Sequence, residues 1–177
     1  MKKEETQEKD SFIDSVISIR RVTNVTKGGK RFSFSAFVVS GDGNGNIGLA
    51  QGKSKEVSSA ITKATSRARK KLISIPLRGT TVPYPVVGKH GSSKVVIRSA
   101  FKGTGVIAGG PVRSVMEALG VKDVLAKSLG SANHQNVVKA TMNALSKLRS
   151  AKKIASLRGK EIEEIVRGFN VSTKKSK

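Results

Sequence analysis

The sequence predicts an α+β fold in two small units, and three observations lead to that prediction. The first third of the chain has the β-branched residues and the period-two alternation of strands, and a helical repeat of apolar residues follows it. Three of the four prolines then fall within residues 76–85, where they interrupt regular structure. Beyond them, strand-like and helical segments follow in the order β-β-α-β-α, which favours a sheet covered by helices.

The first unit is predicted to contain a three-stranded antiparallel sheet. Residues 12–52 are rich in β-branched and aromatic side chains, and the second strand alternates apolar and polar positions. Residues 27–30, Lys-Gly-Gly-Lys, interrupt this pattern as a hairpin turn with basic flanks. Residues 41–46 are predicted to form a second turn, because glycine, asparagine and aspartate tolerate a positive φ. A third strand is expected over residues 47–52, so the simplest topology is a meander.

A helix is predicted to follow the third strand. Ser54 is placed at its N-cap and Glu56 in its first turn, where an acid suits the helix dipole. One face carries Val57, Ala60, Ile61, Ala64, Ala68 and Leu72. The alanines are expected to let the helix lie close to the sheet. The exposed flank carries Lys63, Arg67 and Lys70, and Glu56 is the only acid nearby, which favours a flank that faces phosphates over an ordinary solvated one.

The second unit is predicted to be an α+β sandwich. A glycine-rich loop over residues 103–110 leads into a helix that begins at Pro111, since proline suits the first helical position. The expected elements are strands over 82–89 and 94–100, a helix over 111–119, a strand over 121–126 and a helix over 133–148.

These patterns divide the chain into five predicted segments. Both ends are charged and lack apolar periodicity, so flexible tails are expected there. The segments are a tail over 1–10, the first unit over 11–76, a linker leading into the next strand over 77–85, the second unit over 86–166 and a basic tail over 167–177.

Charge is the most unusual feature of the composition. The chain has 34 Lys and Arg against 12 Asp and Glu, a net charge of +22. Between residues 15 and 160 there are 27 Lys and Arg but only four acids. A folded body with that excess repels itself unless a polyanion neutralises it. Nucleic acid is the favoured partner, because each neutralised phosphate releases counterions. An anionic membrane surface is the competing interpretation.

Other features exclude several classes of protein. The absence of cysteine excludes disulfides, thiolate metal sites and a cysteine nucleophile. No apolar run approaches the roughly 18 residues that span a bilayer. The N-terminus is too acidic and polar for a signal or transit peptide, so a cytoplasmic protein is expected. His90 and His134 fall in different predicted elements, and few acids lie within the body, so no catalytic residue, metal site or cofactor is predicted.

Three glycine patterns resemble phosphate-binding motifs. Residues 43–48 match the dinucleotide fingerprint G-x-G-x-x-G, but a strand follows them instead of the helix that this motif needs. Gly52-Lys53-Ser54 resembles the end of a P-loop with one residue too few before it, although Lys53 is still expected to meet an anion. The loop over residues 103–110 either presents backbone N–H groups to an anion or packs tightly, and the sequence favours neither interpretation.

The aromatic content narrows the mode of RNA binding. The chain has no Trp, one Tyr and six Phe, some of them in core-like alternation. Stacking on unpaired bases needs exposed aromatic side chains. Basic loops and helix flanks therefore predict recognition of the phosphates and the shape of structured RNA.

Five motifs, taken in order, resemble the family of bacterial small-subunit ribosomal protein five. They cover both units between about residues 12 and 166, and their joint order is far more specific than any one of them. The motifs are RVTNVTKGGKRFSF at 21–34, GDGNG at 41–45, GKSKEV at 52–57, GTGVIAGG at 103–110 and NVVKAT at 136–141.

The resemblance implies a fold and a set of partners. The family's first domain is similar to a double-stranded-RNA-binding domain, and its second is an α+β module with a left-handed β-α-β crossover that some kinases and topoisomerases share. The family binds small-subunit ribosomal RNA near the neck and the messenger RNA entrance, beside ribosomal proteins four and eight. The resemblance therefore implies roles in subunit assembly, translational accuracy and messenger entrance, without enzymatic activity.

The resemblance also assigns residues by position. The segment from Gly105 to Arg113 matches the part near ribosomal protein four, where changes in the family alter accuracy, and the C-terminal half of the second unit would face protein eight. The family's loop beside the spectinomycin pocket matches Val25, Thr26, Lys27 and Gly28. Together with the basic pattern, the predicted RNA contacts are Arg20, Arg21, Lys27, Gly28, Gly29, Lys30, Arg31, Lys53, Lys55, Lys63, Arg67 and Lys70.

Three other functions compete with this one. A free double-stranded-RNA-binding regulator would share the charge pattern but be found outside ribosomal particles. A nucleotide-dependent, kinase-like activity would rest on a shared fold alone, and fold does not imply function. A role at a membrane surface needs an amphipathic anchor, and none is evident in the sequence.

Overall fold

The computed structural model describes residues 12–167. The predicted tails, residues 1–10 and 167–177, lie outside this range except at position 167, where the last helix ends. The first unit comprises β1 (Ile13–Thr26), β2 (Gly29–Gly41), β3 (Asn46–Ser54), α1 (Val57–Arg69) and β4 (Leu72–Ser74). The second unit comprises β5 (Val86–His90), β6 (Ser93–Ser99), β7 (Val106–Ile107), α2 (Gly110–Leu119), β8 (Val124–Gly130), α3 (His134–Leu145), α4 (Ala151–Arg158) and α5 (Ile162–Arg167).

The first sheet is antiparallel, with the strand order β1-β2-β3-β4. The two predicted hairpins are present, and the G-x-G-x-x-G match lies across the second of them. The fourth strand, Leu72–Ser74, pairs with Asn46–Gly48 and was not predicted. Three residues are too few to show a period of two, and Leu72 continued the apolar repeat of the preceding helix.

The N-cap prediction at Ser54 was wrong. Ser54 ends β3, where it is paired with Phe34, so it cannot open the helix. The N-cap residue is Glu56, whose side chain makes no capping bond and accepts a hydrogen bond from the Ser59 hydroxyl instead. Strand pairing extended β3 further than its apolar pattern indicated.

Helix α1 lies very close to the first sheet, as its alanines predict. Ala60, Ala64 and Ala68 are fully buried against the sheet, and glycines stand opposite them on β3. A Cβ atom at Gly52 would lie 2.2 Å from the Ala60 carbonyl oxygen, and one at Gly48 would lie 2.1 Å from that of Ala68. Small residues on both surfaces thus bring backbone against backbone.

The second sheet has the strand order β5-β6-β8-β7, and only β7 pairs in parallel. Helix α2 connects β7 to β8, which forms a β-α-β crossover. Helix α3 covers β5 and β6, and Gly88 repeats the close approach of the first unit, since its Cβ would lie 2.0 Å from the Ala140 carbonyl oxygen. Helices α4 and α5 were not predicted.

Strand β8 begins at Val124, three residues later than predicted. The preceding residues close the C-terminus of α2, because Gly120 adopts a left-handed conformation and the Val121 N–H donates to the Met116 carbonyl. The apolar Val121 therefore belongs to a helix cap, which the alternation of side chains does not reveal.

The two units share one hydrophobic core. Helix α2 packs on the face of the first sheet that α1 leaves free, so Phe37, Val39 and Ile47 join Val112 and Val115 in a single cluster. The burial of aliphatic and aromatic side chains from both units in this cluster stabilises the two units together.

Backbone hydrogen bonds also connect the two units. The N–H groups of Gly43 and Gly45 donate to the carbonyls of Ala118 and Leu119, both at 3.1 Å. A helix leaves its last carbonyls without partners, and here the glycine-rich turn of the first unit supplies the donors. A turn predicted only to reverse the chain thus also attaches the second unit.

Candidate nucleic-acid interface

Most acids of the folded body interact with partners within the protein. Asp14 pairs with Arg69 at 2.5 Å, and Glu117 pairs with Arg113 at 2.8 Å within α2. With the pair of Lys160 and Glu164 at 3.9 Å, ion pairs account for three of the cations, so most of the basic charge of residues 12–167 remains uncompensated.

Asp42 organises the turn between β2 and β3. Its carboxylate accepts hydrogen bonds from the N–H groups of Asn44 and Asn46 at 2.8 and 3.0 Å, and from the Asn46 side chain at 2.6 Å. Desolvation favours the neutral acid, but the hydrogen bonds to Asn44 and Asn46 outweigh it and hold the pKa of Asp42 below its ordinary value of 3.8.

Asp123 decides between the two interpretations of the glycine-rich loop. Its buried carboxylate accepts hydrogen bonds from the backbone N–H groups of Gly103 at 2.9 Å and Gly105 at 3.1 Å. An internal anion thus occupies both donors, which favours tight packing over the binding of an external anion at these two residues. Hydrogen bonds from the Thr80 side chain and then from Gly105 lower the pKa of Asp123 despite its burial.

Acidification below about pH 4 is expected to destabilise the protein through these two aspartates. Their folded-state pKa values lie below 3.8, so the unfolded chain binds protons first. Their stabilisation is complete above the unfolded-state pKa and is lost as the pH falls through the folded-state values. Thermal melting across this range measures the loss. The D123N variant should show a shallower acid dependence than the wild type, and an identical dependence would contradict the assignment.

The predicted RNA-binding residues of the first hairpin all lie exposed around one turn. Strand β1 ends at Thr26 and β2 begins at Gly29, so Lys27 and Gly28 alone form the turn, which is tighter than the predicted four residues. The Thr26 hydroxyl donates to the Gly29 carbonyl at 3.1 Å across it. Val25, of the loop assigned beside the antibiotic pocket, is 68% exposed. The exposed set is Arg20, Arg21, Lys27, Gly28, Gly29, Lys30 and Arg31.

Strand register places Arg20 and Lys53 on the same face of the sheet. Arg20 stands opposite Ser35, and Ser35 stands opposite Lys53, so the three side chains form one cross-strand row. The outer part of this face carries a groove of about 510 Å³, whose lining includes Asn24, Ser33, Lys53 and Lys55. Polar and basic side chains line the groove, which suits a phosphate backbone.

The helical stripe lies beside the free edge of β3. Strand β4 pairs only with the first three residues of β3, so in the described part of the chain the edge beyond Gly48 has no strand neighbour. Arg67 donates to the Gln51 carbonyl on this edge at 3.3 Å. Lys63 precedes Arg67 by one helical turn and Lys70 follows it at the helix end, and both are exposed. The Lys53 and Gln51 side chains lie on the opposite face of the sheet from α1, so the stripe and the hairpin face approach each other only around the free edge of β3.

Two contacts were not predicted from the sequence. The Arg21 guanidinium lies 3.8 Å from the centre of the Phe32 ring, and Phe32 itself is 48% exposed on the hairpin. Arg69, at the end of α1, pairs with Asp14 and lies over the Phe12 ring at the other edge of the sheet. Its helical position does not reveal an acid that is distant in sequence.

The segment assigned to translational accuracy lies in the second unit. Gly105 adopts a φ of +78° in the loop that Asp123 holds, and Arg113 is exposed on α2, where it pairs with Glu117. Neither residue contributes to the basic surface of the first unit. The structure therefore places the two groups of predicted site residues on different units.

Membrane-spanning helices and metal-binding clusters are both absent from residues 12–167. None of the helices described there is long and apolar enough to cross a membrane. No group of three or more His, Cys, Asp or Glu side chains in the same range is arranged to hold a metal ion.

Each of the two units matches the model of a known protein family. Residues 12–76 match the family model described as "Ribosomal protein S5, N-terminal domain", and residues 88–158 match "Ribosomal protein S5, C-terminal domain". The chain belongs to the ribosomal protein S5 family. The resemblance predicted from the five motifs is thereby confirmed.

Individual members of the S5 family align over nearly the whole chain. A protein of Pelagibacter ubique named small ribosomal subunit protein uS5 is 51% identical over 158 residues, which cover 89% of this chain and 93% of the relative. A protein of the same name from Lawsonia intracellularis is 53% identical over 152 residues, which cover 86% of this chain and 93% of the relative. Another from Acidithiobacillus ferrooxidans is 52% identical over 162 residues, which cover 91% of this chain and 92% of the relative. These relatives are structural ribosomal proteins, which confirms the prediction of a non-enzymatic role.

Proposed function

We propose that this protein binds small-subunit ribosomal RNA through the exposed cations of its first unit. The observation that carries the proposal is the concentration of exposed cations on the first unit, on the hairpin, in the groove at Lys53 and along the α1 stripe beside the free edge of β3. Within residues 12–167, none of the ten predicted cations on this surface forms an ion pair. The backbone phosphates of RNA neutralise such a surface whatever the base sequence of the RNA.

The hairpin is the part best suited to reach into folded RNA. Strands β1 and β2 pair over their whole length, so Lys27 stands at the end of a long two-stranded ribbon. A paired ribbon holds its cations in a defined position, which lowers the entropy lost on binding. By the resemblance to the family, we assign the loop from Val25 to Gly28, at the end of this ribbon, to the head–neck RNA beside the spectinomycin pocket.

We extend the proposal to finer roles that follow from the family. The segment from Gly105 to Arg113 would adjoin ribosomal protein four and affect accuracy, the C-terminal half of the second unit would face protein eight, and the basic surface would lie near the messenger RNA entrance. The domain division at residues 77–85 is likewise proposed, although the cores of the two units are continuous.

Replacing Lys63 and Lys70 with glutamine is expected to weaken RNA binding and to reduce its salt dependence. Each phosphate contact contributes roughly one unit to the slope of log K against log salt, so the double variant should lose about two. Titration of the full chain with a duplex fragment of ribosomal RNA at several salt concentrations measures this. The control is K152Q with K153Q on α4, which removes the same charge elsewhere. Equal losses in both double variants would argue against a localised site.

The competing functions lack comparable support. A nucleotide-dependent activity would need the backbone donors of the glycine-rich loop, and Asp123 already occupies those of Gly103 and Gly105. A free regulator would share the duplex affinity, so distribution between ribosomal particles and free protein separates that alternative from the proposed function.

A further inference from the structure

A cavity of about 300 Å³ opens between residues 77–85 and the second unit, and none of the residues that line it belongs to the basic surface of the first unit. One wall is the turn that contains Arg78 and Thr81, and the other is the end of β6 with Ser99 and Phe101. Pro83 completes the lining on the side of the turn. The cavity thus combines a planar aromatic wall, a proline, a guanidinium group and hydroxyl groups, and none of the residues that line it is acidic.

Phe101 is the most exposed large apolar side chain of the described residues, at 91%. The segment that carries it is nevertheless held in place, because Thr104 donates to the Phe101 carbonyl through its backbone N–H at 3.1 Å and through its hydroxyl at 2.8 Å. Because the backbone there is held, only the rotamers of the Phe101 ring remain to be ordered when a partner stacks on it.

Asp123 aligns the two walls of the cavity. Its carboxylate accepts from the Gly103 N–H beside Phe101 at 2.9 Å, and its own N–H donates to the Thr80 carbonyl within the turn at 3.1 Å. The turn is closed by reciprocal backbone bonds between Arg78 and Thr81 at 2.9 and 3.2 Å. The carboxylate and the backbone N–H of Asp123 therefore hold the two walls of the cavity together before any ligand arrives.

We propose that this cavity binds an unpaired RNA base, which stacks on Phe101 while its phosphate pairs with Arg78. Aromatic rings stack on every base, and arginine is suited to phosphate. The Thr81 hydroxyl accepts from the Ala100 N–H at 3.2 Å and keeps its own proton to donate to the edge of the base. The guanidinium of Arg78 favours a ligand that carries a phosphate over an apolar peptide without acidic groups. The proposal rests on the RNA-binding function above and adds a single-strand subsite on the other unit.

The test uses the full chain and a short oligoadenylate that carries one fluorescent aminopurine. Saturable quenching of the aminopurine reports stacking and is insensitive to phosphate contacts elsewhere. F101L keeps the apolar bulk but loses the aromatic face, and it should weaken the quenching interaction about ten-fold, whereas F101W should retain it. R78Q should weaken binding by a similar factor, and K139Q, which removes an equal charge on α3, should match the wild type.

The outcomes separate this proposal from the proposed function. Quenching that F101L weakens about ten-fold and F101W retains supports the base subsite. Unchanged quenching in F101L and R78Q overturns it, as does an absence of quenching in a wild-type protein that still binds duplex RNA. Failure of the wild type to bind both the oligoadenylate and the duplex would instead overturn the RNA-binding function itself. Because Phe101 is exposed, its substitution leaves the core intact, and thermal melting of each variant verifies this.

Discussion

Replacing Gly120 with alanine is expected to destabilise the protein by about 4 kcal/mol. Gly120 ends α2 with a φ of +87°, and a Cβ atom there would lie 1.8 Å from the Gly43 carbonyl oxygen. The left-handed conformation costs an alanine about 1 kcal/mol, and overpacking against a rigid backbone costs about 3 kcal/mol. Since Gly43 belongs to the first unit, the loss should affect both units. Denaturant unfolding followed by circular dichroism measures it.

Gly159 offers a matched control for this substitution. It ends α4 in the same left-handed conformation, with a φ of +60°, but nothing lies within 4 Å of its Cβ position. The G159A variant should therefore lose only about 1 kcal/mol, the conformational part of the cost. Similar losses in G120A and G159A would show that the contact between Gly120 and Gly43 does not hold the two units together.

Reversing the charge of Lys27 and Lys30 is expected to weaken binding to ribosomal RNA about a hundred-fold, or roughly 2.7 kcal/mol. The double variant K27E with K30E removes two cations from the end of the hairpin and places acids against phosphates. Both side chains are exposed, so the fold should be unaffected. Incorporation of the purified protein into small subunits during reconstitution measures the effect, with thermal melting as a check on folding.

The β5–β6 hairpin supplies the control. Lys89 and Lys94 stand opposite each other beside its turn and are exposed, so K89E with K94E changes the net charge by the same amount at a comparable position. Only the variant at Lys27 and Lys30 should be excluded from subunits. Equal exclusion of both variants would indicate a general effect of net charge, and normal incorporation of the K27E–K30E variant would refute the role of the first hairpin.

Local patterns in the sequence predicted the fold where the deciding interactions are local. The hairpins follow from period-two spacing and glycine turns, and the closeness of α1 follows from Ala60, Ala64 and Ala68. The errors occur where a distant contact decides the structure. Ser54 stays in β3 because Phe34 pairs with it, and the short strand at Leu72 exists because Asn46 to Gly48 offer an edge.

The candidate site likewise has parts that local sequence patterns predict and parts that depend on distant contacts. Exposed cations on a hairpin and a helix flank are visible in the sequence, because their spacing alone places them on one surface. The role of Asp123 is not visible, since it depends on Gly103 and Thr80, which lie about twenty and forty residues earlier in the chain. An acid isolated within a basic stretch is the only signal that the sequence offers for it. Phe101 shows no periodicity, and only the structure reveals that its ring is uncovered.

The central claim is that this chain is an RNA-bound constituent of the small ribosomal subunit. Sedimentation of a cell lysate through a sucrose gradient, probed for this protein at moderate and at high salt, tests it most directly. The protein should sediment with small subunits at moderate salt and be released as high salt screens its phosphate contacts. A protein found only in the free fractions at moderate salt would contradict the claim.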